Sequence, residues 1–257
     1  GDEVLTLTPV YPPFLSAPAY SRRGVVRVPL REEKNRWGID FERLDAAVTP
    51  RTRLFMLCNP HNPVGRVFRR DELERLAAVC LRHDVLICSD EIHCDLVYPG
   101  AGHLPIASLG PEVSRRVVTL MAPSKTFNIP GLRCSFAIVQ DPDLRLRVAG
   151  DHGGDFADVN NLGLVAATSA YRDGQPWLDE VLQYLDTNRA IVVDFVRREL
   201  PGATTVAPEA TYLAWLDFRQ CGTAQDPSEF LLRHARVALS SGPSFGTGGD
   251  GFARLNF

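Results

Sequence analysis

The chain has 257 residues, of which 45% are hydrophobic and 23% charged, and its formal net charge is −3. Such values are ordinary for a globular protein of one or two domains with an ample core. The negative balance and the lack of any lysine- and arginine-rich block argue against a nucleic-acid-binding protein. No apolar run approaches the roughly 18 residues that span a bilayer, so we expect no membrane association.

The six cysteines show neither a CxxC pair nor a metal-type spacing with histidine. Most of them lie inside apolar segments, where cysteine behaves as a small hydrophobic side chain. We therefore expect free, buried thiols and no metal site. This usage is typical of a reducing compartment and indicates a cytoplasmic protein.

The first part of the chain alternates apolar strands with helices. The predicted strands are Val4–Thr8, Val25–Leu30, Arg53–Cys58, Val85–Cys88, Arg115–Met121 and Ser135–Gln140. One predicted helix follows Asp40 and runs to about Val48, and a second begins at a capping box formed by Asp71 and Glu74. This order predicts an α/β fold whose mostly parallel sheet has helices on both faces.

The pattern changes from Asp158 onward, where helical spacing dominates. A long helix is predicted over Pro176–Leu200, with an apolar side that includes Ile191 and Phe195. Further elements are predicted at Thr204–Ala207, Tyr212–Phe218, Pro227–Arg236 and Phe252–Phe257. We expect a large domain over residues 1–178 and a smaller α+β domain over residues 179–257, which includes most of the long helix. The glycine-rich segment 242–251 is predicted to be a mobile loop.

Three polar clusters follow directly after predicted buried strands, around Asn62, Asp90 and Lys125. The carboxyl ends of parallel strands meet at one edge of a sheet, and functional residues of such folds lie there. Lys125 and Lys34 are the only lysines in a chain with 28 cationic residues. Lysine can condense with an aldehyde whereas arginine cannot, so Lys125 is a candidate for covalent chemistry, although chance alone could leave two lysines.

A lysine bound to pyridoxal phosphate needs several supporting groups. These are a carboxylate at the pyridine nitrogen, a neutral donor at the phenolic oxygen, ligands for the phosphate, an aromatic ring on the cofactor face and an arginine for the substrate carboxylate. The candidates in that order are Asp90, Asn62, Ser124 with Arg133, Tyr11 and Arg254. Singly each has an ordinary structural explanation, such as a helix cap, a turn residue or a surface charge. Together they favour a cofactor site.

Several motifs resemble those of fold-type I pyridoxal-phosphate enzymes of the class I/II aminotransferase superfamily. They are the segments Thr8–Phe14, Asn59–Gly65, Ser89–Tyr98, Ala122–Arg133, Pro208–Asp217 and Arg254–Phe257. Within that superfamily, the segments that begin at Thr8, Ser89 and Pro208 are similar to the cystathionine β-lyase or cysteine-S-conjugate β-lyase branch. The resemblance runs from Thr8 to Phe257.

By this resemblance, Lys125 binds pyridoxal phosphate covalently and Asp90 pairs with its pyridinium nitrogen. Asn62 would contact the phenolic oxygen, Tyr11 would stack on the ring, and Arg254 would bind the substrate carboxylate. Ser124 and Arg133 would hold the phosphate. His93 stands where many aminotransferases have a tyrosine at the phenolic oxygen, and Ala122 replaces a residue that is often a phosphate ligand.

The resemblance implies a homodimer with a shared active site, acting on a small-molecule amino-acid substrate. The family normally carries a substantial segment before Thr8 that completes the phosphate site, so we expect the N-terminal part of the fold to be missing here. The implied activity is a C–S β-lyase that releases thiol, pyruvate and ammonia. An aminotransferase on the same scaffold and a non-catalytic regulator remain alternatives.

Overall fold

A computed structural model describes residues 1–33, 35–150, 159–222 and 225–257. Its main sheet has six strands in the order β2-β1-β5-β6-β7-β8. All neighbouring pairs are parallel except β7 and β8, which are antiparallel. These strands are β1 (Glu3–Thr8), β2 (Gly24–Pro29), β5 (Thr52–Cys58), β6 (Leu86–Asp90), β7 (Val117–Met121) and β8 (Phe136–Val139). The predicted mostly parallel sheet is confirmed.

β8 is antiparallel because the segment that precedes it does not form a long crossover helix. Residues 122–135 contain only a four-residue helix and a short 3₁₀ turn. Parallel strands need a crossover that packs back across the sheet, usually a helix. The chain therefore returns beside β7 in the opposite direction.

The helices cover the sheet and connect it to a second one. They are α1 (Pro13–Tyr20), α2 (Phe41–Ala46), α3 (Arg70–Arg82), α4 (Pro111–Ser114), α5 (Pro123–Thr126), α6 (Pro142–Gly150), α7 (Asn161–Asp173), α8 (Gln175–Glu199) and α9 (Pro227–Ala235). Among the described residues, none of these helices is both long and apolar enough to cross a membrane. Helix α1 was not predicted from the sequence. Its Pro13 takes the first helical turn, where proline is well tolerated.

A four-stranded antiparallel sheet forms the second layer, in the order β11-β12-β10-β9. Its strands are β9 (Thr204–Thr205), β10 (Leu213–Asp217), β11 (Ser240–Ser241) and β12 (Phe252–Asn256), and a separate hairpin pairs β3 (Arg31–Glu33) with β4 (Arg36–Gly38). The predicted domain boundary at residue 178 falls inside α8, which connects the two sheets, and the division into domains stays a prediction. The predicted helical start at Asp158 lies outside the described residues.

Three local expectations differ from the structure. Helix α3 begins after Arg69, whose N–H donates to the Glu72 carboxylate (2.8 Å), so the capping box at Asp71 and Glu74 is wrong. Glu72 takes the capping position instead of Glu74 because an ion pair with Arg66 already holds the Glu72 carboxylate in place. On α8, Ile191 and Phe195 are 60% and 53% exposed rather than buried.

The third difference concerns the glycine-rich segment, which closes into a compact turn. Gly242 and Gly249 approach so closely that a Cβ on either would lie about 2.0–2.1 Å from the carbonyl oxygen of the other. The Phe245 carbonyl accepts the Val10 N–H (2.9 Å), and the Phe245 ring is buried against Trp215. This turn therefore joins the second sheet to the residues that follow β1.

Candidate active site

A cavity of about 250 Å³ opens where the carboxyl ends of β1, β5, β6 and β7 face the second sheet. Its walls combine charged, aromatic and amide side chains. The lining residues are Tyr11, Cys58, Asn62, Asp90, Ile92, His93, Lys125, Tyr212, Leu213, Arg254 and Asn256. The cavity thus lies at the edge where a parallel sheet presents its functional residues.

Six of the eight predicted site residues line this one cavity. They are Tyr11, Asn62, Asp90, His93, Lys125 and Arg254. Ser124 and Arg133 lie outside the lining: Ser124 is half-buried beside Lys125, and Arg133 is exposed in a left-handed conformation (φ 49°) after the 3₁₀ turn. The phosphate role of these two residues stays a prediction.

The loop after β5 fixes Asn62 through hydrogen bonds at both of its ends. The Asn59 side-chain oxygen accepts the Phe68 N–H (3.1 Å), and the Asn59 N–H donates to the Asp90 carbonyl (3.0 Å). The His61 ring lies between the Cys58 and Pro9 carbonyls. Because the Tyr11 N–H donates to the Asn62 carbonyl (3.1 Å), one loop sets the positions of both cavity residues.

Lys125 belongs to the four-residue helix α5, which follows β7 directly. Thr126, next in the chain, donates its hydroxyl to the Asp95 carboxylate (2.9 Å). The Ile129 N–H donates to the Ser124 carbonyl (3.1 Å) on the other side of the turn. These bonds fix the backbone around Lys125 and leave its side chain in the cavity wall.

Asp90 is the last residue of β6 and the carboxylate of the cavity lining. Its pKa is raised, mainly by burial and further by the neighbouring Glu91 charge. A hydrogen bond from the Ile92 N–H (3.2 Å) and the positive charge of Lys125 oppose that rise. A cationic ligand group beside Asp90 would restore its ordinary ionisation, as expected for the partner of a protonated ring nitrogen.

His93 is a neutral histidine between two cations. Burial, followed by the charges of Lys125 and Arg254, lowers the pKa of His93 to about 3. Its Nδ1 atom is buried without a hydrogen-bond partner among the described residues. The His93 ring meets the Tyr212 ring edge-on, with centroids 5.8 Å apart. A neutral imidazole with an unused nitrogen can donate a hydrogen bond to a ligand in the cavity or accept one from it, depending on its tautomer.

Arg254 enters the cavity from β12 of the second sheet. Its Nη1 donates to the Asn62 side-chain oxygen (3.0 Å), its Nη2 donates to the Ser240 hydroxyl (3.2 Å), and its Nε is buried without a partner in the described part of the chain. The guanidinium carbon lies 5.0 Å from the Phe245 ring centroid. Burial lowers the pKa of Arg254, and no carboxylate contacts its guanidinium among the described residues. This arrangement fits a guanidinium that receives an anion.

The second sheet is attached to the cavity loop by a buried ion network. Gly65 (φ 66°) lies so close to the chain at Pro208 that a Cβ would approach the Pro208 Cβ to 2.3 Å. Next in the chain, Glu209 accepts hydrogen bonds from the Val67 N–H (2.8 Å) and from Arg66 (2.8 Å). This network joins the loop that carries Asn62 to the segment that leads into β10 of the second sheet.

Sequence reasoning missed several lining residues: Cys58, Ile92, Tyr212, Leu213 and Asn256. Cys58 and Asn256 lie inside predicted strands and Ile92 is next to His93, but only the folded chain shows which side chains face the cavity. Tyr212 is the notable omission. It lies inside the segment Pro208–Asp217, whose resemblance to the β-lyases could have drawn attention to it.

The cavity fits the chemistry of pyridoxal phosphate. It joins a lysine amine to a buried carboxylate, and it contains two buried nitrogens, Nδ1 of His93 and Nε of Arg254, without partners among the described residues. Buried polar atoms normally have partners, so these nitrogens indicate a polar, anionic ligand. A mostly parallel α/β sheet with such a site defines the class of pyridoxal-phosphate-dependent enzymes that act on amino acids.

Comparison with known proteins identifies the family. The family model for aminotransferase class I and II matches residues 1–257. The chain belongs to this family, which is pyridoxal-phosphate-dependent.

Three relatives illustrate the similarity. Cystathionine beta-lyase PatB of Bacillus subtilis (strain 168) is 39% identical over 259 residues, which cover 100% of this chain and 67% of PatB. The crystal structure of OvoB is 45% identical, with a TM-score of 0.94 and coverage of 99% of this chain and 66% of its own. Cystalysin from Treponema denticola, whose crystal structure contains pyridoxal 5'-phosphate, is 36% identical with a TM-score of 0.95, covering 100% and 66% respectively. The chain thus spans about two thirds of the length of these relatives.

Proposed function

We propose that the protein is a pyridoxal-phosphate-dependent C–S β-lyase that cleaves cystathionine or another cysteine S-conjugate to a thiol, pyruvate and ammonia. The observation that carries the proposal is the meeting of Asp90, Lys125 and Arg254 in one cavity. The lyase activity named for PatB, at 39% identity over the whole chain, supports the choice of reaction.

The cofactor would be held by groups from several elements. Lys125 would bind it covalently, Asp90 would accept the N–H of its pyridine ring, and Tyr11 would lie against the ring. Asn62 and His93 would share its phenolic oxygen, and Ser124 with Arg133 would contact its phosphate. When bound, pyridoxal phosphate supplies an electron sink for the electron pair left at the substrate Cα.

The protein's own groups would carry the remaining work. Arg254 would hold the substrate carboxylate in fork geometry and thereby orient the Cα–H bond toward Lys125. The Lys125 amine, once free, would take the α-proton. The C–S bond would then break at Cβ, with the electron pair leaving on sulfur, and hydrolysis of the remaining fragment would give pyruvate and ammonia.

His93 would contribute as a neutral hydrogen-bonding group rather than as a proton carrier. Its lowered pKa, about 3, keeps the imidazole uncharged near neutral pH. A protonated His93 would place a third positive charge near Lys125 and Arg254 and would disfavour their charged forms. The neutral state of His93 therefore favours the ionised Arg254 that would bind substrate.

The decisive experiment uses the complete protein and L-cystathionine. We expect pyruvate and a new free thiol in equal amounts, together with an absorbance of the bound cofactor that disappears in Lys125→Ala. Amino-group transfer to a 2-oxo acid without release of pyruvate or thiol would replace the lyase proposal by the aminotransferase alternative, which the family name supports. A cofactor-free protein unaffected by Lys125→Ala would instead favour a non-catalytic regulator.

We further propose a cytoplasmic homodimer whose active site is shared between subunits and whose substrate is a small-molecule amino acid such as cystathionine. Large apolar side chains are exposed along α7 and α8, including Leu162, Val165, Tyr184, Ile191 and Phe195. Such exposed apolar surface is typical of a subunit interface. All six cysteines are free thiols, as in a reducing compartment. Sedimentation of the complete protein tests the dimer; a monomer at micromolar concentration would contradict it.

A further inference from the structure

The residue before Tyr212 has an unusual backbone conformation. Thr211 is fully buried and has φ of 72°, in the left-handed region. A β-branched residue is a rare outlier there and costs on the order of 1–3 kcal/mol. The surrounding structure must hold this conformation, and such residues cluster at ligand sites.

Four hydrogen bonds hold the backbone at this point. The Thr211 N–H donates to the Leu96 carbonyl (2.7 Å), and the Thr211 carbonyl accepts the Tyr98 hydroxyl (2.5 Å). The Thr211 hydroxyl accepts the Leu213 N–H (3.2 Å), and the Tyr212 carbonyl accepts the Phe257 N–H (3.0 Å). The direction of the Tyr212 side chain is therefore set by fixed backbone on both sides.

The Tyr212 side chain lines the active-site cavity. Its ring is held edge-on by His93, and its hydroxyl makes no hydrogen bond to any described residue. Burial lowers the pKa of the Arg254 guanidinium, and the nearby phenolic groups of Tyr212 and Tyr11 oppose that shift. A rigid ring with an unbonded hydroxyl thus lines the same cavity as Arg254.

A carboxylate bound by Arg254 would have acceptor positions left for a further hydrogen-bond donor. Two of its five N–H groups already bind Asn62 and Ser240, which fixes the guanidinium plane and leaves three for a ligand. A carboxylate has about four acceptor positions, of which a forked arginine satisfies two. We propose that the Tyr212 hydroxyl donates a further hydrogen bond to the substrate carboxylate held by Arg254, so that Tyr212 is a specificity-determining residue for α-carboxylates. This inference rests on the proposed role of Arg254.

Calorimetric titration of the complete, cofactor-loaded protein tests the contact without any turnover. The probes are 3-(methylthio)propanoate, which is a cysteine S-conjugate without its amine, and the matching neutral amide. Tyr212→Phe should weaken binding of the carboxylate about tenfold, as expected for a hydrogen bond to a charged group, and should leave binding of the amide unchanged. With S-methyl-L-cysteine as substrate, the same variant should raise KM with little change in kcat, because the contact exists before and during the reaction.

Two tyrosine variants serve as controls. Tyr20→Phe removes a hydroxyl at the exposed end of α1 and should change neither titration. Tyr98→Phe removes a hydroxyl bonded to the Thr211 carbonyl and should lower the unfolding temperature and affect both probes alike. Equal effects of Tyr212→Phe on carboxylate and amide, or no effect on either, would overturn the Tyr212 proposal. Absence of pyruvate formation with a preserved carboxylate effect would overturn only the proposed lyase activity.

Discussion

Two buried arginines, Arg66 and Arg254, show how one residue type serves two purposes in this fold. Burial lowers the pKa of both. The charge of Arg66 is compensated by hydrogen-bonded ion pairs with Glu72 (2.5 and 2.7 Å) and Glu209 (2.8 Å). Arg66 also donates to the Trp37 carbonyl (2.8 Å). Arg254 has no carboxylate partner among the described residues.

The difference between them separates the structural from the functional region. Around Arg66 two carboxylates satisfy the charge, so the network joins the cavity loop to the second sheet. Around Arg254 the neutral oxygens of Asn62 and Ser240 orient the guanidinium without neutralising it. The charge that folding leaves uncompensated remains available for an anionic ligand.

The largest effect is expected at Lys125, which we propose as the reactive amine of the cavity. Lys125→Ala should lower turnover at least about a thousandfold, because both the covalent attachment and the general base are lost. The measurements are cofactor absorbance and pyruvate release in the complete protein. Lys125→Arg, which keeps the charge but cannot form the bond, should be equally inactive. Substantial activity in Lys125→Arg would disprove the assigned role.

A change in the structural region should affect stability more than function. Arg66→Met leaves Glu72 and Glu209 without their main cation, and we expect the free energy of unfolding to fall by about 3 kcal/mol. Denaturant titration provides the measurement. Arg70→Met is the matched control: it breaks an exposed pair with Glu74 on the same segment and should cost less than about 0.5 kcal/mol. Equal losses in both variants would remove the distinction between buried and exposed networks.

A change at Arg254 should affect substrate binding more than stability. Arg254→Met should raise KM for an amino-acid substrate about a hundredfold, while the free energy of unfolding stays the same or increases, since an uncompensated buried charge is removed. Steady-state kinetics and denaturant titration of one preparation give both values. A destabilisation as large as that of Arg66→Met would mean that Arg254 is also structural.

The smallest effect concerns pH. Folding lowers the pKa of His93 from 6.5 to about 3, mainly through burial. Between those pH values the unfolded chain binds a proton at His93 that the folded protein does not bind. The contribution of His93 should therefore lower the free energy of unfolding as pH falls below about 6.5, by roughly 1.4 kcal/mol per pH unit. His93→Gln should reduce the slope of the free energy of unfolding against pH by the amount that corresponds to one bound proton. His61, with a pKa lowered to about 4, contributes similarly and remains in that variant. An unchanged slope would show that His93 is charged in the folded state.

Motif spacing predicted the residues that define the site because they lie close to strand ends. Asn62, Asp90 and Lys125 each follow an apolar strand, and parallel strands bring their carboxyl ends together whatever the details of packing. Ser124 and Arg133 do not line the cavity, and their phosphate role stays a prediction. Both are close to Lys125 in the chain, but Ser124 is half-buried beside it and Arg133 is exposed after the 3₁₀ turn.

The sequence by itself predicted most of the strand and helix order and singled out Lys125, since periodicity and residue type are local properties. Tertiary structure decided everything that depends on partners. It shifted the cap of α3 to Glu72, compacted the glycine-rich turn, and placed Tyr212 beside His93 through a strained Thr211. It also decided which buried arginine finds carboxylates and which does not, because charge compensation depends on residues that are distant in the chain.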